Sequence, residues 1–563
     1  MKATVAALLM ILFSGSAMAH SIAVFDSVQF ICNELLGRPT NSSITINLCA
    51  DKDLDVFVEY GTQSKGYTSQ TTIGTFQNNI PFNVVLNSLA PGTTYYYRVR
   101  YRITKSVNFA ARDEHYFTTA KLKGTAFTFA IEADPHLDTN SNPAVYALTL
   151  QNIFAQRPDF LLDLGDTFMS EKLQNPTQDS ITIRHLLLRS FYDLICHSIP
   201  LYLVIGNHEG ELGWLLNGTA NNLAVTASNT RLKYYPNPLP DNFYSGNSRS
   251  EDFVGLRQNY YAWEWGSALF VVLDPYWYTK KKPDWGWTLG VDQYNWLKTV
   301  LTISHARFKF VFCHQLVGGN GTDGRGGTEY ADFFEMGGRN LDSTWGFDAN
   351  RSGWGKPIHA MMVENGATIF FHGHDHFYGK QDKDGIVYQE VPQPSLKNYT
   401  SISASEYGYV DGVLIPSRGY LLVTVTDTTT KVEYIRTYLP SEENAQRHNK
   451  DVSHSYTIVK TGTTTNVIES TPVPDKFMLR QNYPNPFNPT TNIEYRIANA
   501  GFVTLKIFDI LGREVATLVE QYQEPGTYTV SFDAEKLSLT SGIYFSRLTA
   551  GDFSETKKLV LAK

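Results

Sequence analysis

The segment Ala367-Thr-Ile-Phe-Phe-His-Gly-His-Asp-His376 joins a short apolar run to three histidines and an aspartate. A run of this length, rich in aromatic and β-branched residues and bounded by glycine, is typical of a buried strand. Four further apolar runs lead into Asp, Asn or His in the same way: Phe127–Ile131 before Asp134 and His136, Phe160–Leu164 before Asp166, Leu201–Ile205 before Asn207 and His208, and Phe308–Phe312 before His314. The carboxyl ends of strands line the ligand crevice of an open α/β sheet. We therefore expect the five runs to align in one sheet and to present these side chains at one edge.

Two Asp, one Asn and four His at one edge are enough for a site with two metal ions. A pair of divalent ions can hold a hydroxide, clamp a phosphoryl group and stabilise both the attacking and the leaving oxygen. One carboxylate has to bridge such ions, and Asp166, in a tight Gly-Asp turn, is the natural candidate. Neutral imidazoles mixed with oxygen donors favour Mn, Fe or Zn over Mg or Ca.

The order of these motifs resembles that of the calcineurin-like metallophosphoesterases. The resemblance implies two ions, held by Asp134, His136, Asp166 and His376 and by Asp166, Asn207, His314 and His374, respectively. It also implies that His208, beside a ligand without being one, protonates the leaving oxygen or steadies the transition state. The group that orients His208 stays open, with Glu209 and Asp375 as alternatives.

Each motif also has an ordinary interpretation when it stands alone. Asp-Pro-His is a common turn tripeptide, an Asp after Gly is usual turn chemistry, and His314 alone can be a histidine satisfied at a strand end. The occurrence of all five in family order, each after a predicted strand, favours the metal site over these interpretations.

Met169, three residues after Asp166, departs from two branches of that family. The protein-phosphatase branch has a second Asp there, and the purple acid phosphatase branch has a Tyr whose phenolate binds ferric iron. His136 stands where the purple branch lacks a histidine. The first metal position therefore resembles the histidine-bearing, divalent kind.

Composition favours an exported, β-rich, multidomain protein. The chain has 563 residues, of which 42% are hydrophobic and 18% charged, and its net charge is −7. These values indicate folded domains rather than disorder and do not suggest a nucleic-acid-binding surface. Residues 1–19 have the basic start, apolar stretch and Ala17-Met18-Ala19 end of a signal peptide. No later segment is apolar enough to predict a transmembrane helix.

The cysteines leave several pairings open. Cys32 and Cys49 flank a hairpin-like stretch and can pair, whereas Cys196 and Cys313 are far apart in the sequence and can equally be free and buried. Four cysteines in an exported protein allow three sets of disulfides, and the sequence does not choose among them.

Three domains are predicted around the motifs. Residues 20–120 alternate apolar and polar residues as half-buried strands do, and the turn before Tyr95 resembles that of fibronectin type III domains, with Tyr95 as a structural corner tyrosine. Residues 121–440 are expected to form an α/β/β/α catalytic sandwich. Helices are predicted at 143–157, 181–196 and 291–306, and a hairpin at 260–274. Residues 441–475 have the polar composition of a linker.

Residues 476–563 closely resemble the C-terminal sorting domain of type IX secretion substrates. The likeness rests on Gln481-Asn-Tyr-Pro-Asn-Pro-Phe-Asn-Pro-Thr490, on the strand-like runs after it and on a basic, apolar terminus. It implies a C-terminal β-sandwich, export through the periplasm and the outer membrane, and the outer-membrane secretion machinery as a partner. A carbohydrate-binding or spacer β-sandwich is the alternative.

Taken together, these features predict a secreted or surface-attached phosphoesterase with two divalent ions. The resemblance implies in-line attack of a metal-bound hydroxide on small phosphate monoesters, with phosphodiesters or nucleotides as the alternative substrates. A surface adhesin with a non-catalytic phosphoesterase scaffold is a third interpretation, and the complete ligand set argues against it. The loops 276–290 and 318–327 follow strands that should end near the metals, so they are candidates for a substrate lid.

Overall fold

The computed structural model describes residues 27–170, 172–173, 176–321, 323–400, 402–461, 464–470, 476–499, 501–523, 526–537, 539–551 and 553–562. The predicted signal peptide lies outside this part of the chain. Within it, no helix is both long and apolar enough to span a bilayer.

Two large sheets form the centre of the molecule. In the described residues the first has ten strands, in the order Thr464–Ser470, Val452–Thr461, Thr429–Arg436, Gly419–Val425, Phe127–Glu132, Phe160–Asp163, Leu201–Leu203, Phe30–Gly37, Ile44–Ala50 and Phe82–Leu86. The second has eight, in the order Ser245–Gly246, Tyr261–Trp265, Ala268–Val272, Phe308–Phe312, Ile369–His372, Ile386–Glu390, Phe377–Lys383 and Val413–Pro416. The motif-bearing strands are parallel neighbours within each sheet.

The expectation that all five motif strands lie in one sheet is wrong. Three belong to the first sheet, and the strands Phe308–Phe312 and Ile369–His372 belong to the second. The five motif-bearing strands are buried on both faces in either sheet, so they carry the same continuous apolar pattern, and nothing local in that pattern assigns a strand to one sheet or the other.

The two sheets pack face to face through aromatic side chains. Phe129 of the first sheet lies edge-on to Phe270 of the second, with ring centroids 5.1 Å apart, and both are fully buried. Helices cover the outer faces. Leu150 and Leu188 pack on the first sheet, and Leu297 and Met361 on the second. The predicted α/β/β/α fold class is thereby confirmed.

The helices begin and end close to the predicted positions. Asn142 caps the first helix by accepting the N–H groups of Ala144 and Val145. The α-helices are Pro143–Gln156, Gln178–Tyr192, Leu223–Tyr234, Val291–Ile303, Phe334–Gly337, Phe347–Asn350 and Ile358–Glu364. Short 3₁₀ turns occur at Gly213–Leu215, Asp284–Gly286, Thr328–Tyr330 and Pro440–Glu442, and a small ribbon at Ser250–Glu251 and Gly255–Leu256.

The N-terminal region is β-rich as predicted, but it shares a sheet with the centre. Its strands at Phe30–Gly37, Ile44–Ala50 and Phe82–Leu86 extend the first sheet, because Gly37 pairs in parallel with Leu201. The facing sheet consists of Ser69–Gln70, Leu54–Gly61, Thr94–Ile103 and Ala110–Ala111, joined by Gly74–Phe76 and His115–Thr118. The hydroxyl of Tyr95 accepts the N–H of Ala90 at 2.9 Å, as a structural corner tyrosine would. All four cysteines are buried free thiols, although Cys32 and Cys49 are cross-strand partners.

The predicted linker at 441–475 is wrong for a large part of its length. Val452–Thr461 pairs with Thr429–Arg436, and Thr464–Ser470 pairs with Val452–Thr461, so the central sheet continues to residue 470. The polar composition of this segment concealed a strand in which Tyr456 and Ile458 reach the buried core.

In the part of the C-terminal region that the structure describes, there are two further sheets. One consists of Met478–Leu479, Thr490–Ile497 and Gly526–Asp533, and the other of Glu514–Gln523, Gly501–Phe508, Gly542–Ala550 and Phe553–Leu561. Side chains of both sheets, including Tyr495 and Leu505, share one buried cluster, as in a β-sandwich.

Candidate metal centre

The loops after the motif strands meet at one end of the sandwich. The first sheet supplies Asp134 and His136, Asp166, and the Asn207-His208 pair, and the second supplies His314, His374 and His376. Two groups of side chains result, with ligand atoms within 4.8 Å of one another in each group: Asp134, His136 and His376 form one, and Asp166, His314 and His374 the other.

The first group is built around Oδ1 of Asp134. This atom lies 3.6 Å from Nε2 of His136 and 3.5 Å from Nε2 of His376. The two imidazole nitrogens are 2.8 Å apart. One cation can therefore contact all three side chains.

The second group is built around Oδ2 of Asp166. This atom lies 3.1 Å from Nε2 of His314 and 3.9 Å from Nδ1 of His374. Nε2 of His314 is also 3.8 Å from Oδ1 of Asp134, so the two groups are adjacent.

Asn207 and His208 complete the cluster on the same side. The side-chain oxygen of Asn207 is buried and has no hydrogen-bond partner among the described residues. Nε2 of His208 lies 3.7 Å from Oδ2 of Asp166, and 16% of the side chain is exposed. His208 thus borders both the cluster and the solvent.

Each aspartate uses one oxygen within the protein and turns the other toward the cluster. Oδ1 of Asp166 accepts the N–H of His208, and Oδ2 of Asp134 accepts the N–H of His374, both at 2.8 Å. The remaining oxygens, Oδ2 of Asp166 and Oδ1 of Asp134, are buried without a hydrogen-bond donor among the described residues. Buried carboxylate oxygens without donors, surrounded by imidazole nitrogens, are what a metal ion requires.

The two buried carboxylates of the cluster are ionised and attract positive charge. Burial opposes ionisation, but the neighbouring histidine charges outweigh it and hold the pKa of Asp134 and of Asp166 well below the usual range. Burial lowers the pKa of His314, yet the charges of Asp166 and Asp134 raise it to about 10. In the absence of a metal, a proton on His314 therefore supplies the cation that these carboxylates attract.

Hydrogen bonds at the far nitrogen orient two of the imidazoles. Nδ1 of His314 lies 2.9 Å from the carbonyl oxygen of Leu164, so it donates there and leaves Nε2 for the cluster. Nε2 of His374 lies 2.7 Å from the carbonyl oxygen of Asp323, which leaves Nδ1 for the cluster. Such contacts fix the tautomer and the ring orientation of metal-binding histidines.

The backbone at the cluster is strained. Five residues with bulky side chains adopt left-handed φ values: 59° at Asp134, 56° at His136, 54° at Asp166, 80° at His374 and 65° at His376. Such conformations cost roughly 1 kcal/mol or more each for residues other than glycine. They persist because the surrounding structure enforces them, and their concentration at one site indicates function.

Two glycine contacts allow the loops to approach this closely. A Cβ on Gly206 would lie 2.2 Å from Oδ1 of Asp166, and a Cβ on Gly373 would lie 2.6 Å from Oδ2 of Asp134. A side chain at either position would displace the aspartate.

Glu209, one of the two residues considered for orienting His208, has a different role. Its carboxylate accepts the N–H groups of Gly206 at 2.7 Å, Asp166 at 3.2 Å and Thr167 at 2.7 Å, and the hydroxyl of Thr167 at 2.8 Å. Burial and the nearby charge of Asp166 raise the pKa of Glu209 to about 7. Glu209 therefore ties together the two loops that carry Asp166 and Asn207.

Asp375, the other residue considered, binds the glycine-rich loop 318–327. Its carboxylate accepts the N–H of Gly326 at 2.8 Å, a guanidinium N–H of Arg325 at 3.1 Å and the hydroxyl of Tyr409 at 2.8 Å. The loop 318–327 thus reaches the cluster, as the lid prediction requires. Nζ of Lys282, in the loop 276–290, lies 3.7 Å from the carboxylate of Asp323 and joins the two loops.

Two cavities flank the cluster. The larger, of about 330 Å³, lies on the His208 side and is lined by Asn207, His208, Leu212, Trp214, Leu215, Lys282, Trp287 and Asp323. The smaller, of about 190 Å³, lies on the opposite side and is lined by His136, Asp138, Asn140, Met169, His376, Gln393, Leu396, Lys397 and Asn398. Sequence reasoning missed most of these wall residues because they carry no motif. A cavity of about 560 Å³ near Lys121 and Asp159 contains none of the candidate ligands.

Residues 127–378 match the family described as calcineurin-like phosphoesterase. These residues form a calcineurin-like phosphoesterase domain. The match spans every candidate ligand, and the chain is accordingly a metal-dependent phosphoesterase. No curated protein matches the sequence.

Two solved structures share the fold of the phosphoesterase chain. A structure of PhoD superposes with a TM-score of 0.58 at 15% identity, over 80% of this chain and 94% of that one. A purple acid phosphatase, PPD1, from yellow lupin (Lupinus luteus) seeds superposes with a TM-score of 0.53 at 15% identity, over 76% of this chain and 74% of that one. At these identities the likeness concerns the fold.

The C-terminal resemblance is confirmed as well. Residues 481–562 match the family described as secretion system C-terminal sorting domain. The phosphoesterase is therefore secreted or attached to the cell surface by way of type IX secretion.

Proposed function

We propose that the chain is a secreted phosphatase that hydrolyses phosphate monoesters at a centre of two divalent ions. The observation that carries this proposal is the pair of adjacent groups, each with a carboxylate oxygen and imidazole nitrogens directed at a common point. The cavities beside them open a path for a small substrate.

The proposed ligand sets combine the two groups of side chains with the assignment of Asn207 and the sharing of Asp166 that the family resemblance implies. One ion would be held by Asp134, His136 and His376 and the other by Asn207, His314 and His374, with Asp166 contributing to both. Imidazole, carboxylate and amide donors suit Mn, Fe or Zn. When bound, the ions would supply Lewis-acid stabilisation of the phosphoryl charge and lower the pKa of a water molecule.

The protein's own groups would orient the ligands and handle the proton. Glu209 and the backbone N–H groups of His208 and His374 fix the aspartates, so that the free oxygens point inward. His208, on the solvent side of Asp166, would donate a proton to the leaving oxygen or stabilise its charge. The partly buried position keeps the imidazole near the reacting groups while the cavity beside it admits the leaving group.

The second candidate function is phosphodiester hydrolysis. A diester carries a substituent on each side of phosphorus, and the cavity on the His136 side would provide space for the second one. Gln393 lines that cavity, is buried, and has a side-chain oxygen without a hydrogen-bond partner among the described residues.

The test is metal analysis combined with hydrolysis rates on matched mono- and diesters, for the parent protein and for Asp166→Asn. The substitution removes the charge proposed to hold two cations together, so metal content should fall below two per chain and turnover by orders of magnitude. Asp292→Asn, on an exposed carboxylate, is the matched control.

His208→Ala should instead retain both metals and lose about 10²–10⁴-fold in rate. Full activity of Asp166→Asn with two metals bound would disprove the assignment. A parent protein that prefers diesters would select the second candidate.

A further inference from the structure

The cavity on the His208 side has the walls of a binding site for one kind of leaving group. If His208 protonates the leaving oxygen, as the proposed function holds, the rest of the alcohol must lie on the same side of the cluster. The cavity there has a volume of about 330 Å³, enough for a single aromatic ring with substituents.

The walls of this cavity are mainly apolar and aromatic. Leu212 and Trp287 are buried, and Trp214 and Leu215 are half-buried. The rings of Trp214 and Trp287 are perpendicular, with centroids 5.6 Å apart, so they form a corner of two flat surfaces. The Lys282 ammonium lies over both rings in this corner, so a planar ring that binds there would displace it. The ring would then stack on the half-buried Trp214 and meet Trp287 edge to face, both favourable arrangements for aromatic pairs.

The charged residues of the cavity are paired with each other. Nζ of Lys282 lies 4.7 Å from the ring centroid of Trp214 and 5.4 Å from that of Trp287. The same ammonium lies 3.7 Å from the carboxylate of Asp323. Since Lys282 and Asp323 offset each other's charge, the cavity gives no net preference for a charged alcohol.

We propose that this cavity selects phosphate monoesters of aromatic alcohols, with Trp214 as the specificity-determining residue. The ester oxygen would face His208, and the ring would occupy the corner formed by Trp214 and Trp287. Small aliphatic monoesters would leave the corner unfilled. The inference rests on the proposed function for the position of the phosphoryl group, and on the wall residues for the choice of alcohol.

The experiment compares Trp214→Ala with the parent on phenyl phosphate and on glycerol phosphate. The ratio of kcat/KM between variant and parent for one substrate cancels the intrinsic reactivity of its leaving group. We expect a loss of about tenfold or more on phenyl phosphate and less than about twofold on glycerol phosphate, the scale on which apolar pockets discriminate. Trp214→Phe should recover most of the loss. Trp345→Ala, which removes an indole that is 53% exposed and lies outside both cavities, should change neither ratio.

A binding measurement separates this inference from the proposed function. Benzylphosphonate, which cannot be hydrolysed, and methylphosphonate are titrated calorimetrically into the metal-loaded parent and Trp214→Ala proteins. We expect Trp214→Ala to weaken the binding of benzylphosphonate about tenfold and to leave that of methylphosphonate unchanged. If the parent hydrolyses no monoester but this difference in affinity is found, the proposed function fails and the aromatic site stands. Equal effects on both phosphonates, or no effect on either, would overturn the inference.

Discussion

The change Glu209→Gln should reveal how much of the site depends on one buried carboxylate. Glu209 accepts hydrogen bonds on both of its oxygens. Oε1 receives the N–H and the hydroxyl of Thr167, and Oε2 receives the N–H groups of Gly206 and Asp166. Glutamine keeps the shape of the side chain but replaces one acceptor oxygen with an NH₂ group.

The magnitude follows from which donors lose their acceptor. If the amide nitrogen takes the Oε2 position, the N–H groups of Gly206 and Asp166 are both left unsatisfied. If the amide nitrogen takes the Oε1 position, only the N–H of Thr167 is left unsatisfied, because the hydroxyl of Thr167 can rotate and accept a hydrogen bond from the amide. A buried donor without an acceptor costs about 1–3 kcal/mol, so the more favourable orientation destabilises the fold by about 1–3 kcal/mol and the other by about 2–6 kcal/mol. Loss of a group that orients ligands weakens metal binding by about 10–100-fold in comparable sites.

The assay is urea unfolding followed by tryptophan fluorescence, together with metal affinity by competition with a chelator. All nine tryptophans lie between Trp214 and Trp354, so fluorescence reports on the phosphoesterase domain. Glu364→Gln, on a carboxylate whose side chain is 61% exposed, is the matched control. An unfolding free energy within about 0.5 kcal/mol of the parent value, with unchanged metal affinity, would refute the role given to Glu209.

Three further results are expected. A chain ending at residue 470 should fold and hydrolyse phosphate esters. A chain ending at residue 440 should lose soluble yield and thermal stability, because it lacks Val452–Thr461 and leaves Thr429–Arg436 as an exposed edge. Equal stability of the two chains would contradict the continued sheet. The metal-free protein should lose stability as pH rises from about 6.5 to 10. The proton on His314 stabilises the folded state fully below the ordinary histidine pKa, and this stabilisation is lost as pH passes the raised pKa of His314 in the folded protein. A urea unfolding midpoint that is constant over this range would contradict this account. Because Met169 stands where a purple acid phosphatase has its tyrosine, the isolated protein should show no phenolate-to-iron absorption band, and an intense visible band would mean that another tyrosine reaches the metals.

The sequence predicted the strands well because each carries its own local signal. The run Phe308–Phe312 and the hairpin strands within 260–274 were assigned from apolar patterns that match the observed burial. The pairing of strands is not local in this way. Whether Phe308–Phe312 lies beside Phe160–Asp163 or in another sheet depends on the helices and loops between them, so the prediction of a single sheet was wrong.

The strand Val452–Thr461 shows a second limit. Its segment is rich in serine, threonine and charged residues, and by composition it was assigned to a linker. Strand formation depends on which residues face the core, and here Tyr456 and Ile458 on the inward face are sufficient. The polar residues on the other face cost little because most of them remain partly exposed to solvent.

The candidate ligands were predicted by type and order, while the groups that hold them in place were not. Glu209 follows His208 directly in the sequence, which suggested that it orients that histidine. The carboxylate of Glu209 instead points back to Gly206 and Thr167 and accepts their N–H groups. The cavity residues Trp214 and Trp287 lie 73 positions apart in the chain and belong to no motif, so only the fold brings them together.

The hydrogen bonds among the loops indicate that the centre forms as one unit. The N–H of Asp134 donates to the carbonyl of Gly165 and that of His136 to the carbonyl of Asp166, while His374 donates to the carboxylate of Asp134. Each loop thus positions a residue of another, and each aspartate has one oxygen bonded to a neighbouring loop and one directed at the candidate metal site. A change in one loop should therefore disturb ligands in the others. Binding of the two proposed ions should then be coupled, because the first would fix loops that also carry candidate ligands of the second.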